Sequence, residues 1–349
     1  MLEKIKVKRP GFAFVHVMVG AQLAMIGLVN AQPRGRLVLN LEPVTQSTNI
    51  SLGPPRQVNA GVLNIGYVEA GPANGTAVIL LHGWPYDIHS YVDVAPMLAA
   101  KGYRVIIPYL RGYGTTSFLS AETFRNGQQS AIAADIVALM DTLKIANAII
   151  GGFDWGARTA DVIATLWPER CKGLVAVSGY IITNVKANEQ PLQPRAELGW
   201  WYQYYFATDR GAAGYGKYRH DFAKLIWQIA SPKWNFDDAT FERSAAALNN
   251  PDHVAIVMHN YRWRLGLAPG ESKYDELEQK LAGSPVIKIP AITIGSDFDG
   301  AAANGKSYAS KFKGKYAHWV FNGIGHNLPQ EAPEYFVQAI IEVDSYQGN

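Results

Sequence analysis

The sequence contains one cysteine and carries almost no net charge, and each shortage excludes a class of protein. With Cys171 alone among 349 residues, an intramolecular disulfide framework is impossible, and we expect this side chain to be a small buried hydrophobe. A formal net charge of +3, without a run of basic residues, argues against nucleic acid as a partner. The sequence also has no zinc-ligand spacing and no internal repeat, which excludes zinc modules and repeat arrays.

The remaining composition is that of a globular protein with a substantial core. Apolar residues make up 48% of the chain and charged residues 17%, which are both ordinary values. A chain of 349 residues is long enough for one large domain, or for a domain that carries a sizeable insertion.

The N-terminal region has the layout of a secretory signal peptide. Lysine and arginine cluster within residues 4–9, an apolar run covers residues 12–29, and Val29 and Ala31 stand where a signal peptidase reads. We therefore expect residues 1–31 to be cleaved and the protein to be periplasmic or secreted, without stable membrane association afterwards. An uncleaved membrane anchor is the alternative, because the apolar run approaches spanning length. Residues 32–60, rich in Pro, Gly, Asn and Ser, are predicted to be an extended leader.

Short apolar segments alternate with helical patterns through most of the remaining chain. Apolar side chains recur at helical spacing within residues 132–143 and 162–166. Short apolar runs between such helices are typical of a parallel sheet that is buried on both faces. The alternation predicts an α/β fold with a mostly parallel, doubly wound sheet. The predicted strands are residues 63–69, 76–81, 104–108, 148–152, 172–178, 291–295 and 316–321.

One long stretch interrupts this alternation. Between residues 180 and 281 there is no convincing buried strand, but a series of helical segments crowded with aromatic side chains. Most of these rings are expected to form a second hydrophobic core. An insertion here would cover the C-terminal ends of the strands, where open α/β sheets bind ligands. We predict a helical cap at residues 181–281, inserted between two parts of the core at residues 61–180 and 282–349.

Asp154 lies at the centre of a Gly-Phe-Asp-Trp-Gly segment that joins a predicted strand to a predicted helix. The glycines permit a sharp turn that presents the middle side chain at the top of the sheet, as in a nucleophile elbow. Aspartate stands here where serine is usual. The N–H of Trp155 opens the helix, and a helix N-terminus favours an anion. Taken alone, the pattern is equally consistent with a helix N-cap.

Two other loops supply partners for an aspartate in this position. The turn after strand 76–81 presents the N–H of Trp84 as a second oxyanion donor. His326 stands between a glycine turn and the final helix, and the loop after strand 291–295 contains Asp297 and Asp299. The chain order of nucleophile, acid and histidine is that of α/β-hydrolases. The three segments together predict a catalytic triad.

The motifs HGWP (82–85), GGFDWG (151–156) and GIGH (323–326) resemble those of α/β-hydrolases of the epoxide hydrolase and haloalkane dehalogenase group. The resemblance covers nearly all of the sequence beyond the signal segment. It implies an α/β-hydrolase fold with a helical cap. In the cap, Tyr202-Gln203-Tyr204-Tyr205-Phe206 and Tyr261-Arg262 resemble the segments that supply two lid phenols in epoxide hydrolases.

The resemblance also implies a role for each site residue. Asp154 would attack an epoxide carbon, Tyr202 and Tyr261 would assist the opening oxygen, and His326 would activate the water that hydrolyses the resulting ester. Asp299 is favoured as the acid, since Asp-Gly is the commoner ending of its loop in the superfamily, with Asp297 in reserve. No metal or organic cofactor is required. The predicted pocket residues are His82, Pro85, Phe153 and Tyr205.

Two alternatives remain open. A haloalkane or haloacid dehalogenase would use the same nucleophile, with the Trp155 indole as a halide donor or a cation for the haloacid carboxylate. Haloacetate dehalogenases resemble this elbow in having arginine at the position of Arg158, although a solvated helix charge is the simpler interpretation of that residue. A non-catalytic relative would bind an apolar ligand in the cap. In each case the aromatic cap predicts a small, mainly apolar partner.

Overall fold

The computed structural model describes residues 36–43 and 52–346 of the chain. The predicted signal peptide, residues 1–31, lies outside these ranges, and so do residues 32–35 and 44–51 of the predicted leader. Among the described residues, no helix is both long enough and apolar enough to cross a membrane.

The described residues contain ten strands, which are hydrogen-bonded into one sheet. The strands are β1 (Arg36–Asn40), β2 (Arg56–Ala60), β3 (Leu63–Ala70), β4 (Ala77–Leu81), β5 (Arg104–Pro108), β6 (Ser117–Phe118), β7 (Ala148–Gly152), β8 (Cys171–Val177), β9 (Ala291–Gly295) and β10 (Tyr316–Asn322). Their spatial order is β1-β10-β9-β8-β7-β4-β5-β3-β2, with β6 paired to β3. The pairs from β1 to β5 in this order are parallel, whereas β3 runs antiparallel to β2, β5 and β6.

The predicted mostly parallel α/β sheet is confirmed. All five residues of β7 and all five of β9 are buried, because helices cover both faces of the sheet. On one face α2 and α3 pack together, and on the other α1 packs against α11. These helices are α1 (Val94–Ala100), α2 (Gln129–Thr142), α3 (Trp155–Leu166) and α11 (Pro333–Ser345), and α10 (Leu328–Glu331) precedes the last of them.

Three strands are not among those predicted from the sequence. β1 and β2 lie within the stretch predicted to be an extended leader, and both have mostly exposed side chains. Edge strands of this kind lack the continuous apolar run by which the central strands were recognised. The third, β6, has only two residues.

The segment between β8 and β9 is helical, and we call residues 194–282 the helical insertion. Its helices are α4 (Pro194–Gly199), α5 (Trp201–Ala207), α6 (Asp209–Ala230), α7 (Asp238–Ala245), α8 (His253–Arg264) and α9 (Asp275–Ala282). Helix α5 packs against α6 and α8. Aromatic rings fill this junction and extend to Trp84 in the turn after β4, so the insertion packs directly on the ends of the central strands.

Candidate active site

Asp154 lies at a sharp turn between β7 and α3. Its backbone has φ 52° and ψ −124°, a positive-φ conformation that non-glycine residues rarely adopt. A Cβ on Gly156 would lie 1.8 Å from the carbonyl oxygen of Leu81, so the turn requires glycine there. Trp155 is the first residue of α3, where a backbone N–H has no partner within the helix. The turn therefore holds a carboxylate in a strained position of the kind found at functional sites.

Two groups from distant parts of the chain hold the Asp154 carboxylate. The Trp84 N–H donates to Oδ1 at 2.8 Å, and Nε2 of His326 lies 3.3 Å from Oδ2. Burial by itself would raise the pKa of this carboxyl. The hydrogen bond and charge of His326, the charge of Arg158 and the Trp84 N–H outweigh burial and lower the pKa. Asp154 is therefore an ionised carboxylate at neutral pH.

His326 belongs to a buried loop that two other residues fix in place. Its backbone N–H donates to Oγ of Ser231 at 2.9 Å. The Glu331 carboxylate accepts from the same Oγ at 2.6 Å and from the Gly325 N–H at 2.7 Å. The imidazole lies against the ring of Phe298, with 4.2 Å between centroids. Glu331 was not predicted as a site residue, and its one local signal is its place in the short helix after His326.

The two candidate acids have different surroundings. Asp297 is exposed and forms an ion pair with Lys233 at 2.7 Å. Asp299 accepts the Ser296 N–H at 2.7 Å, and its pKa is raised by burial although the charge of His326 opposes the rise. Nδ1 of His326 has no hydrogen-bond partner in the part of the chain that the structure describes. Neither acid forms a hydrogen bond with the imidazole. The electrostatic interaction between Asp299 and His326 favours Asp299 as the acid of the triad.

The two predicted lid phenols are next to each other above the carboxylate. Tyr202 lies on α5 and Tyr261 on α8, and their ring centroids are 5.5 Å apart. The ring of Tyr202 is 5.0 Å from that of Trp84. Burial raises the pKa of each phenol, and the negative charge of Asp154 raises it further. Both phenols are therefore protonated at neutral pH and can donate hydrogen bonds.

A cleft at the helical insertion is lined by Tyr202 and His326, whereas Asp154 and Tyr261 are not among its lining residues. Apolar and aromatic side chains form most of its wall, which suits the apolar part of a ligand. Its lining residues include Trp84, Trp201, Tyr202, Ile226, Phe298 and His326. Among the described residues, no group of three or more His, Cys, Asp or Glu side chains is arranged to hold a metal ion.

The four residues predicted to line the pocket do not line this cleft. His82 is fully buried, and both of its ring nitrogens lie within hydrogen-bond distance of backbone groups. Phe153 is fully buried in the core. The carbonyl of Pro85 accepts the Trp227 indole N–H at 3.1 Å, and Tyr205 stacks inside the helical insertion. Residues that are adjacent to a site residue in a motif can point into the core, because successive side chains in a turn face different directions.

The expectation that Arg158 is a solvated charge on a helix is wrong. Only 7% of this residue is exposed, so it is not a solvated helix charge. It lies one turn after Asp154 on α3, and burial lowers its pKa to about 10, with the positive charge of Arg264 as the next cause. At neutral pH it remains a buried cation. Spacing on a helix does not reveal such burial when the covering segments come from elsewhere in the chain.

A polar chain links the Trp84 turn to the helical insertion. The Trp84 indole N–H donates to the Tyr215 hydroxyl at 2.8 Å, and this hydroxyl lies 2.8 Å from Nε2 of His253. Nδ1 of His253 lies 2.9 Å from the Gly112 carbonyl oxygen. Burial lowers the pKa of His253 to about 3, so the ring is neutral and bridges a donor and an acceptor. No motif in the sequence pointed to Tyr215 or His253.

The sheet order, the elbow turn and the helices inserted after β8 define an α/β-hydrolase. A family model for the alpha/beta hydrolase fold matches residues 76–333, and the chain belongs to this family.

Proteins of known assignment resemble the chain to different extents. Epoxide hydrolase B of Mycobacterium tuberculosis is 33% identical over 149 residues, which cover 39% of this chain and 41% of that protein. The chain thus spans less than half of that relative's length. Epoxide hydrolase A of the same organism is 26% identical over 337 residues, covering 83% of this chain and 98% of that protein.

A solved structure from Klebsiella pneumoniae, provisionally assigned as an epoxide hydrolase, is 61% identical to the chain. The match covers 83% of this chain and 97% of that one, with a TM-score of 0.82.

Proposed function

We propose that the protein is an epoxide hydrolase that opens an epoxide to a vicinal diol through an aspartyl ester. The observation that carries the proposal is the ionised Asp154 carboxylate, set between the Trp84 N–H and His326 and facing two protonated phenols. A nucleophile, two proton donors and a base that can activate water are thus close together, and Tyr202 and His326 line the cleft. The names of the relatives support the same activity.

In the first step, an oxygen of Asp154 attacks one epoxide carbon and the C–O bond of the ring breaks. The released oxygen carries the electron pair of that bond. Tyr202 and Tyr261 donate hydrogen bonds to it, and one of them supplies the proton. An alkyl ester of Asp154 remains, with a hydroxyl on the adjacent carbon.

In the second step, water hydrolyses the ester. His326 takes a proton from the water, whose oxygen attacks the carbonyl carbon of Asp154. The N–H groups of Trp84 and Trp155 stabilise the tetrahedral oxyanion. Collapse of the intermediate breaks the ester C–O bond, and the leaving oxygen takes the remaining water proton, which releases the diol and restores the carboxylate. The proton on His326 then returns to the phenol that lost its own. Asp299 stabilises the imidazolium through its charge.

A carboxylate is a suitable nucleophile because the target is a saturated carbon. Serine would form an ether there, which this machinery could not hydrolyse, whereas aspartate forms an ester. Each step uses only side chains and backbone N–H groups of the chain.

The test is intact-protein mass of a His326→Gln variant after incubation with styrene oxide. Loss of the base should slow hydrolysis, so an adduct of the epoxide's mass should accumulate. The same incubation with the His326→Gln, Asp154→Asn double variant is the control and should give no adduct. No adduct from the single variant with any epoxide would contradict the proposal.

Haloacid dehalogenation is the second candidate, because Arg158 is a buried cation near the nucleophile. The same His326→Gln variant distinguishes the two activities. An adduct with a haloacetate and none with epoxides would assign the protein to dehalogenation.

We also propose that the protein is exported and that cleavage follows Ala31. Expression of the full chain, cell fractionation and N-terminal sequencing test this. A mature form beginning at Gln32 outside the cytoplasm is the expected result, whereas an intact N-terminus in the membrane fraction would indicate an anchor.

A further inference from the structure

Arg158 has a guanidinium whose hydrogen-bonding capacity is only partly used. Its Nε donates to the Ile181 carbonyl at 3.0 Å. Its Nη1 is buried and has no hydrogen-bond partner among residues 36–43 and 52–346. Buried donors are almost always paired in native proteins, since an unpaired one costs about 1–3 kcal/mol. Nη1 of Arg158 is therefore a donor that suits a ligand.

A second arginine approaches the same place from the helical insertion. Arg264 ends α8, one turn after Tyr261, and its guanidinium carbon lies 5.5 Å from the centroid of that ring. Its Nε is also buried, and within the described ranges it has no hydrogen-bond partner. The charges of Arg158 and Arg264 both act on the Tyr202 phenol. Two cations thus flank the lid phenols.

The acidic groups near Arg158 do not neutralise the pair. Asp161 accepts the Ile181 N–H at 2.9 Å and forms no ion pair with Arg158 within 4.0 Å, and burial raises the pKa of its carboxyl well above the ordinary value. Asp154 is charged, but no ion pair joins it or any other described acidic residue to Arg158 or Arg264 within 4.0 Å. Asp154 also loses its charge when it forms an ester.

We propose that Arg158 and Arg264 form a subsite for a carboxylate group of the substrate. Nη1 of Arg158 and Nε of Arg264 donate to the carboxylate oxygens, as charge-assisted hydrogen bonds in a site shielded from water. The substrate class is then a small epoxide that carries a carboxylate close to the ring. This inference rests on the proposed epoxide hydrolysis for the reactive group, and on the arginines for the anionic group.

The first test compares glycidate with glycidamide, which has the same shape without the charge. The wild type should have the higher kcat/KM for glycidate. Arg158→Gln and Arg264→Gln should each lower the ratio of the two kcat/KM values by about 10–100-fold, the worth of one charge-assisted hydrogen bond. Arg210→Gln, at an exposed arginine of α6, is the matched control and should keep the wild-type ratio.

The second test measures binding without catalysis. Calorimetry with glycerate, the diol acid expected from glycidate, and with neutral glycerol reports on the subsite alone. Glycerate should bind to the wild type at least tenfold more tightly than glycerol, and either arginine variant should remove the difference. Since Arg264 is partly exposed, its variant should fold even if Arg158→Gln does not.

The two tests separate failure of the subsite from failure of the proposed function. A wild type that does not prefer glycidate and does not bind glycerate overturns the subsite. An unchanged ratio in variants that lose activity towards both epoxides also overturns it, because the arginines then act only structurally. No reaction with any epoxide, together with arginine-dependent glycerate binding, overturns epoxide hydrolysis and supports the subsite.

Discussion

At the scale of single residues, the site depends on how closely two backbone segments approach. A Cβ on Gly83 would lie 2.3 Å from the Cβ of Asp154 and 2.7 Å from its Oδ1. The Trp84 N–H reaches the carboxylate only because this approach is possible. Glycine at 83 therefore sets the distance between the nucleophile and one oxyanion donor.

Gly83→Ala should impair turnover more than folding. The added methyl group has to displace either the Asp154 side chain or the turn, and a misplacement of about 1 Å can cost about 100-fold in rate. We expect kcat/KM for a neutral epoxide to fall by about 100-fold while the melting temperature decreases by a few degrees. Steady-state kinetics and calorimetric melting measure the two effects.

Gly216→Ala on α6 is the matched control, because the nearest atom to its added Cβ is 4.0 Å away. It should retain activity and gain up to about 1 kcal/mol of stability from better helix propensity. Equal kinetics for the two variants would contradict the role given to Gly83.

At the scale of elements, the polar chain from Trp84 through Tyr215 and His253 fixes α6 and α8 to the turn after β4. The helical insertion supplies the phenols, and the turn supplies the oxyanion donor. Hydrogen bonds between the insertion and the turn hold the phenols and the oxyanion donor in a fixed relative position. The relative position of insertion and sheet is therefore part of the catalytic geometry.

Tyr215→Phe should break this connection with little change of shape. The Trp84 indole N–H and Nε2 of His253 lose their partner in a buried place, which costs about 1–3 kcal/mol of unfolding free energy. Because Trp84 carries the oxyanion donor, we expect kcat to fall by about tenfold and KM to change less. Chemical denaturation and steady-state kinetics measure both effects. Tyr218→Phe, at an exposed tyrosine of the same helix, should behave as the wild type, and similar values for both variants would argue against the polar chain.

The elements that a few adjacent residues specify could be predicted from the sequence. The elbow at Asp154 and the glycine turn before His326 are specified by a few adjacent residues, and central strands such as β7 by a short apolar run. Non-local features were missed. Arg158 is buried and donates to the Ile181 carbonyl in a loop that follows β8, and spacing along α3 does not record that.

The missed strand β1 illustrates the same limit. Its side chains are mostly exposed, so its place in the sheet depends on backbone pairing with β10. Directly after it, the Leu41 carbonyl oxygen lies 1.9 Å from where a Cβ of Gly323 would be. A segment predicted to be a leader thus contacts the glycine turn that precedes His326. Pairing between segments about 280 residues apart has no local signature.

At the scale of the whole molecule, buried neutral histidines make stability depend on pH. The pKa of His253 is about 3 in the folded protein, against an ordinary value of 6.5. Below pH 6.5 the unfolded chain takes up a proton at this residue and the folded chain does not. The free energy of unfolding therefore decreases as the pH is lowered. This one group contributes a decrease of about 1.4 kcal/mol for each pH unit. Between pH 6.5 and 5 the loss is about 2 kcal/mol.

His253→Gln should remove this contribution, so urea denaturation at pH 7 and pH 5 should show a smaller acid loss than in the wild type. The exposed His220 is the matched control with the opposite sign. Hydrogen bonds to Asp221 and Glu242 raise its pKa, so it stabilises the folded protein at acid pH and less as the pH rises. His220→Gln should therefore enlarge the loss between pH 7 and pH 5. Parallel pH profiles for His253→Gln and the wild type would mean that His253 is not held neutral by the fold.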